Sequence, residues 1–325
     1  MLSYWERESF IKYDYAVIGA GIVGLSTAIS IKEKDPKASV IIFEKGILPT
    51  GASTKNAGFA CFGSLTELIN DIEEIGEEKS LELVKERNEG LNALRRRLGD
   101  KAIRYEGNGG YELIQEEDIG YVEKMDKINK WLSPLFSQDV FEIKDAMIDK
   151  FGFSRTHVSS LIFNQYEGQI HTGEMMKNLL LLAQKLSITM ITGAEVKSIE
   201  DHGNSVSIEI KNIGQLESIM YSSAKVAICT NAFTKSLIPD LELLPGRGIV
   251  LVTKPIENLN FNSCFHIEQG YYYFRNIDHR ILFGGGRNLY FDEETTHDFE
   301  INAKIIRELE KRLAEVIIPN TSFEV

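Results

Sequence analysis

Residues Tyr15 to Gly24 read YAVIGAGIVG, and this stretch decides the fold. Apolar residues suited to a buried strand run into Gly19-Ala20-Gly21-Ile22-Val23-Gly24, and an apolar, small-residue pattern continues through Ala28 and Ile31 as a helix. Gly19 lets the chain reverse, Gly21 leaves no side chain between backbone and a pyrophosphate, and Gly24 lets the helix lie close on a sheet. The helix then turns unpaired N–H groups and its positive dipole end toward phosphate. A second strand, Ser39 to Phe43, ends in Glu44, whose carboxylate is placed to accept hydrogen bonds from ribose hydroxyls. A Gly-rich turn without a ligand requires none of this agreement. The half-site suits NAD and FAD alike.

Composition narrows the class. A chain of 325 residues with 43% hydrophobic content supports a packed core in one large domain or two intertwined ones. A net charge of −12 without a basic stripe argues against a nucleic-acid partner. The opening MLSYWERESFIKYD lacks the apolar run of a signal peptide, and no stretch of about 18 consecutive apolar residues occurs, so the expectation is a cytoplasmic protein with no transmembrane segment. Cys61, Cys229 and Cys264 are widely separated and form no CxxC, and the six histidines show no HxxxH spacing, so no metal site is expected. The histidines are read as structural or exposed. Cys61 is read as a small buried thiol that could alternatively touch a ligand.

Lys45 to Gly63, KGILPTGASTKNAGFACFG, cannot fill a core, but its small residues let backbone run along a flat ligand while Ser53, Thr54 and Asn56 offer polar contacts. A surface loop has the same composition. Taken together, GAGIVG, Phe43-Glu44-Lys45 and Gly51-Ala52-Ser53-Thr54-Lys55-Asn56-Ala57-Gly58 resemble the FAD-binding start of the D-amino-acid oxidase superfamily, which includes glycine oxidase, sarcosine oxidase and the D-amino-acid dehydrogenases. The resemblance implies an α/β fold, α+β overall, in which a Rossmann-like FAD-binding domain is interleaved with an antiparallel-sheet substrate domain. It implies FAD as cofactor and carries over Ile22, Val23, Glu44, Lys45, Ala52, Ser53, Ala57, Gly58 and Phe59 as contacts, joined by the motif glycines Gly19, Gly21 and Gly24 and by Asn56.

Further along, Thr66 to Leu98 carries apolar residues at helical spacing, with Gly76 and Gly90 as possible breaks and Gly99 as terminator. The Gly-Asn-Gly-Gly run within Ile103 to Gln115 reads as the turn of a β-hairpin. A helix over 116–132, a strand at Leu161 to Phe163, a helix from Glu174 to Leu186 and strands at 188–191, 195–199 and 205–210 follow. By resemblance Val196 supplies a backbone contact to adenine. Lys225 to Thr230 is a buried strand ending in Thr230 and Asn231, which are either dinucleotide contacts or a plain strand end with a helix N-cap.

Two strands joined near Asn276 to His279 account for Cys264 to Gly286. Aligned on the second strand's glycines, Tyr272 falls near a family tyrosine that touches the substrate carboxylate. Arg275 and Arg287 are the nearest cations for that carboxylate, and Tyr272 with Arg275 are the candidate catalytic residues. Adjacent strand residues face opposite ways, so if Tyr272 meets the flavin, Tyr271 and Tyr273 do not. A helix over 298–316 closes the chain. The expected domains are 1–103 with 168–244 for FAD and 104–167 with 245–325 for substrate.

Members of the family continue past this point with a Trp-x-Gly segment, an arginine that often clamps the carboxylate, and a Gly-rich return to the flavin's pyrimidine edge. The expectation is therefore a chain lacking that closing segment. Its expected activity is oxidation of an amino acid or secondary amine by hydride transfer to flavin, with oxygen or a quinone as electron acceptor. Two alternatives stand beside it: an FAD-binding remnant or interaction module without turnover, and a 2-hydroxy-acid dehydrogenase on the same scaffold.

Overall fold

The computed structural model describes residues 2–211 and 218–325. In chain order the first elements are α1 (Tyr4–Ser9), β1 (Lys12–Ile18), α2 (Ile22–Lys34), β2 (Val40–Glu44), β3 (Phe59–Ala60), α3 (Leu65–Ile75), α4 (Glu77–Leu98), α5 (Asp100–Ile103) and β4 (Gly110–Ile114). Next come α6 (Met125–Leu132), β5 (Phe141–Ile143), α7 (Ala146–Phe151), β6 (Ser160–Asn164), β7 (Gly168–Gln169), α8 (Thr172–Lys185), β8 (Thr189–Thr192), β9 (Val196–Asp201), β10 (Val206–Ile210) and β11 (Ile219–Ile228). The last are β12 (Val250–Val252), β13 (Cys264–Ile267), β14 (Tyr272–Ile277), β15 (Arg280–Gly285) and α9 (Ala303–Arg312).

The chain divides into two compact units. One comprises Met1–Asn56 and Thr172–Pro245, the other Ala57–His171 and Gly246–Val325. The first holds a sheet of order β8-β2-β1-β11-β10-β9, parallel from β8 to β11 and antiparallel beyond. Its central strands are fully buried at Ala16, Val17 and Ile41 to Phe43, which is why they read as unbroken apolar runs. The sheet of the second unit has order β12-β15-β14-β13-β4-β6-β5 and is antiparallel except where β13 meets β4. One of its faces is an aromatic core in which Phe265 stacks on Phe274 at 4.5 Å and Leu309 and Leu313 pack from α9 and the turn after it.

Three expectations change. Residues 57–103 were assigned to the cofactor domain, yet they lie in the second unit, because β3 pairs with β7 and Thr66 binds Glu112 of β4. No hairpin forms around Gly109 and Gly110: β4 pairs instead with β6 and β13, and a Cβ on either glycine would strike Phe163 or Glu167. Gly76, in the left-handed region, separates α3 from α4, whereas Gly90 lies inside α4.

Candidate functional site

In the first unit the Gly-rich turn is built as its composition demands. Gly19 has φ +102, and a Cβ there would lie 2.6 Å from the Cys229 carbonyl oxygen. A Cβ on Gly24 would lie 1.9 Å from the Gly19 carbonyl oxygen, so the start of α2 can close on the turn only with glycine. Gly21 is the N-cap of α2 in extended conformation. The Ile22 amide donates to Ser53 Oγ at 2.9 Å, which brings the 52–54 turn to the helix N-terminus and sets an oxygen where an anionic oxygen is favoured. Val23, in the first turn, is 66% exposed.

Glu44 spans two loops. Its Oε2 accepts from the Ala20 amide at 2.8 Å and its Oε1 from the Gly46 amide at 2.9 Å, leaving further lone pairs for hydroxyl donors. Lys45 is ion-paired with Glu195 at 2.7 Å on the surface, and this pair holds the Glu195 carboxyl below its usual range. The Ala194 amide donates to the Glu44 carbonyl oxygen, so the segment entering β9 at Val196 passes the end of β2. Asn56 ties its loop together, donating to the Ala52 and Ser53 carbonyls and accepting from Thr172 Oγ1 at 3.0 Å. Thr230 lies just past the end of β11 and shares a hydrogen bond with Thr234, and Asn231 opens a 3-10 turn at φ +47.

An uncapped helix start, a serine hydroxyl on its first amide, a glycine whose side chain would intrude, and an acid at the end of the second strand together fit the diphosphate and ribose of a bound dinucleotide. The residues present are thus competent to hold FAD.

In the second unit the two candidate catalytic residues stand elsewhere than expected. Tyr272 is 0% exposed and belongs to the aromatic core, with the Arg312 guanidinium 3.9 Å above its ring and Phe283 beside it. Burial pushes its hydroxyl up to about 12. The expectation that Tyr272 meets substrate is corrected: strand alternation turns Tyr273, not Tyr272, to the polar face. Arg275 is also buried, and its Nη1 donates to the carbonyls of Ala57, Gly58 and Ile170 at 3.2, 3.0 and 2.8 Å. It clamps backbone, which overturns its expected grip on a carboxylate through that nitrogen. A small polar cavity of about 80 Å³ lies beside it, lined also by Arg104, Gln169 and Asp278. Arg287 lies 5.4 Å over Phe291, and its Nε has no partner among the described residues.

The polar face of the second sheet was missed in the sequence. Cross-strand register places Gly284, Tyr273, His266 and Glu112 in one row on it, and Arg275, Cys264, Gly110 and Asn164 in the next. Gly284 makes room for the Tyr273 ring, which a Cβ would approach to 2.6 Å. Phe59, expected near the flavin, sits edge-on to His266 at 5.3 Å and to Tyr273 at 5.7 Å. Glu112 accepts from Ser64 Oγ at 2.9 Å and from the Thr66 amide and hydroxyl at the start of α3. Burial raises its carboxyl to about 7 despite the Thr66 hydroxyl, which pulls it back. Burial alone would lower the His266 imidazole, but Glu167 at 2.9 Å and Glu67 at 3.7 Å hold it protonated, up to about 9. The alternation Cys264-Phe265-His266-Ile267 is the one sequence signal that could have exposed this face.

A family model described as FAD dependent oxidoreductase (DAO) matches residues 14–324. The probable oxidoreductase OrdL of Haemophilus influenzae is 23% identical over 290 residues, covering 83% of this chain and 64% of that relative. Among solved structures, glycine oxidase from Bacillus cereus aligns with a TM-score of 0.68 at 20% identity, covering 96% of this chain and 80% of that one. L-proline dehydrogenase from P. horikoshii aligns at 0.70 and 15% identity, covering 97% and 79%. No helix among the described residues is long and apolar enough to cross a membrane. With its family model spanning nearly the whole sequence, the chain belongs to the DAO family of FAD-dependent oxidoreductases.

Proposed function

We propose that this chain oxidises an amino acid or secondary amine with FAD. The cofactor would be held by Gly19, Gly21, Ile22, Val23 and Gly24 at the diphosphate, and by Glu44 and Lys45 toward the ribose. Ala52, Ser53, Asn56, Ala57, Gly58 and Phe59 would line the loop, with Val196, Thr230 and Asn231 flanking them. When bound, FAD supplies the acceptor for a hydride from the substrate Cα–H. The chain's own residues bind and orient the amine and exclude water.

One observation carries the choice of substrate class. The polar face gathers three carboxylates, Glu67, Glu112 and Glu167, around one imidazole, His266. That balance suits a cationic ammonium and disfavours a 2-hydroxy acid, which brings only negative charge. Glu112, with its carboxyl near neutrality, is suited to take a proton from an ammonium within hydrogen-bond reach. The names of the structural neighbours, glycine oxidase and L-proline dehydrogenase, lean the same way.

The test is anaerobic mixing of the FAD-loaded protein with glycine, sarcosine, proline, D- and L-amino acids and 2-hydroxy acids, following the visible flavin absorbance. Bleaching by an amine and not by the hydroxy acids is expected. Bleaching by hydroxy acids alone, or by no compound, refutes the proposal.

A further inference from the structure

We propose that Cys61, Glu167 and His266 form a binding site for a zinc-class divalent cation. The Cys61 Sγ, a Glu167 carboxylate oxygen and a His266 ring nitrogen all lie within 4.8 Å of one another. For zinc bonds of about 2.0 to 2.3 Å, closing that triangle around an ion asks for side-chain shifts of roughly 1 Å. Each ligand comes from a different segment. Cys61 follows β3, Glu167 precedes β7, and His266 lies on β13; the β3–β7 pairing of Phe59 with Gln169 and Ala60 with Gly168 sets the first two side by side. This explains why sequence spacing shows no metal motif.

The surroundings are those of a prepared site. Gly110 bears no Cβ, which would fall 1.9 Å from Glu167 Oε2. Asn164 Nδ2 donates to Glu167 Oε1 at 3.2 Å, and Cys264 Sγ lies 3.5 Å from Oε2, so the carboxylate is oriented from both sides. His266 presents Nε2 to Glu167, while its Nδ1 faces Glu67 at 3.7 Å. A carboxylate behind a ligating imidazole fixes the tautomer and raises its basicity. A thiolate, an imidazole and a carboxylate select zinc-like ions over magnesium or calcium, which take oxygen ligands. Three protein ligands leave a fourth position for water. Charge is conserved: the divalent ion replaces the thiol proton of Cys61 and one proton of the His266 imidazolium, leaving the set neutral as before.

The full-length, FAD-loaded protein is stripped with a chelator, titrated with zinc against a chromophoric competitor, and separately loaded with cobalt(II). One zinc per chain is expected, with a thiolate-to-cobalt charge-transfer band in the difference spectrum. Cys61→Ser should abolish that band and weaken zinc at least about tenfold, and Glu67→Gln should weaken zinc about 10- to 100-fold. Cys229→Ser, outside the site, should change neither. Substoichiometric zinc in the wild type, or equal affinity in Cys61→Ser, overturns the proposal. The near-isosteric serine variant and metal content itself give the answer without turnover, so this result and the substrate result are read separately.

Discussion

Replacing Gly21 or Gly24 by alanine adds the same methyl group to the same turn and should give opposite phenotypes. At Gly24 the new Cβ would lie 1.9 Å from the Gly19 carbonyl oxygen, a backbone atom that can retreat only if α2 moves off the turn by more than 1 Å. Overpacking of this kind costs about 1 to 3 kcal/mol. The contact is severe enough to take the upper end, and the gain of about 1 kcal/mol from alanine's helix propensity leaves a net loss of about 2 kcal/mol. That lowers the melting temperature of the apoprotein by roughly 4 to 8 °C. At Gly21 the Cβ would meet only Ser53 Oγ, at 2.8 Å, which a rotamer change relieves. The loss there is that of an N-cap preference, about 0.5 to 1 kcal/mol. The methyl group, however, stands where a diphosphate must approach the helix N-terminus, and losing even 1.4 kcal/mol there weakens FAD tenfold. Apoprotein melting and fluorescence titration with FAD separate the two effects. If Gly21→Ala folds and binds FAD as tightly as the wild type, the diphosphate does not lie on this turn.

Two further outcomes follow from buried charge. Arg275→Met should cost about 3 kcal/mol by denaturant unfolding, because three carbonyls lose one charged donor, whereas Arg275→Lys should recover more than half, since one ammonium can serve the same three acceptors. A lysine variant as damaged as the methionine one would instead require the planar guanidinium. Arg247 grips Glu294 through Nε and Nη2 at 2.7 and 2.9 Å, and this pairing holds the fully buried carboxyl below its usual range. Its folded value is depressed, so Glu294 contributes stability above about pH 4.5 that is lost as pH falls through the folded value. Arg247→Met should cost about 3 to 5 kcal/mol at pH 7. Protonation then neutralises the stranded carboxyl, so the penalty should shrink when urea unfolding is repeated near pH 4; a penalty independent of pH would refute it.

The cofactor half was legible because its signals are local. The strand, turn, helix and acid lie within Tyr15 to Glu44, and each glycine there answers to a neighbour close in sequence or to the strand beside it. The polar face was not legible because Cys61, Glu112, Glu167 and His266 are brought together only by strand pairing between distant segments. Tyr272 shows how little separates the two outcomes: alignment found the right strand, but a shift of one residue exchanges the faces, and only the register with Gly284 puts Tyr273 on the polar side. The Gly-Asn-Gly-Gly run misled for a related reason. Gly109 and Gly110 are small to admit Phe163 and Glu167, a packing demand that resembles turn chemistry in a linear reading.

The order of the first sheet has a consequence for biosynthesis. β1 is flanked by β2, made almost at once, and by β11, which begins at Ile219, about 200 residues later. At a synthesis rate of roughly 5 to 20 residues per second, one apolar strand edge waits about 10 to 40 seconds on the ribosome for its neighbour. Over that interval the nascent chain presents an open template for aggregation, so its yield in a cell depends on what shields Ala16 to Ile18 before β11 emerges.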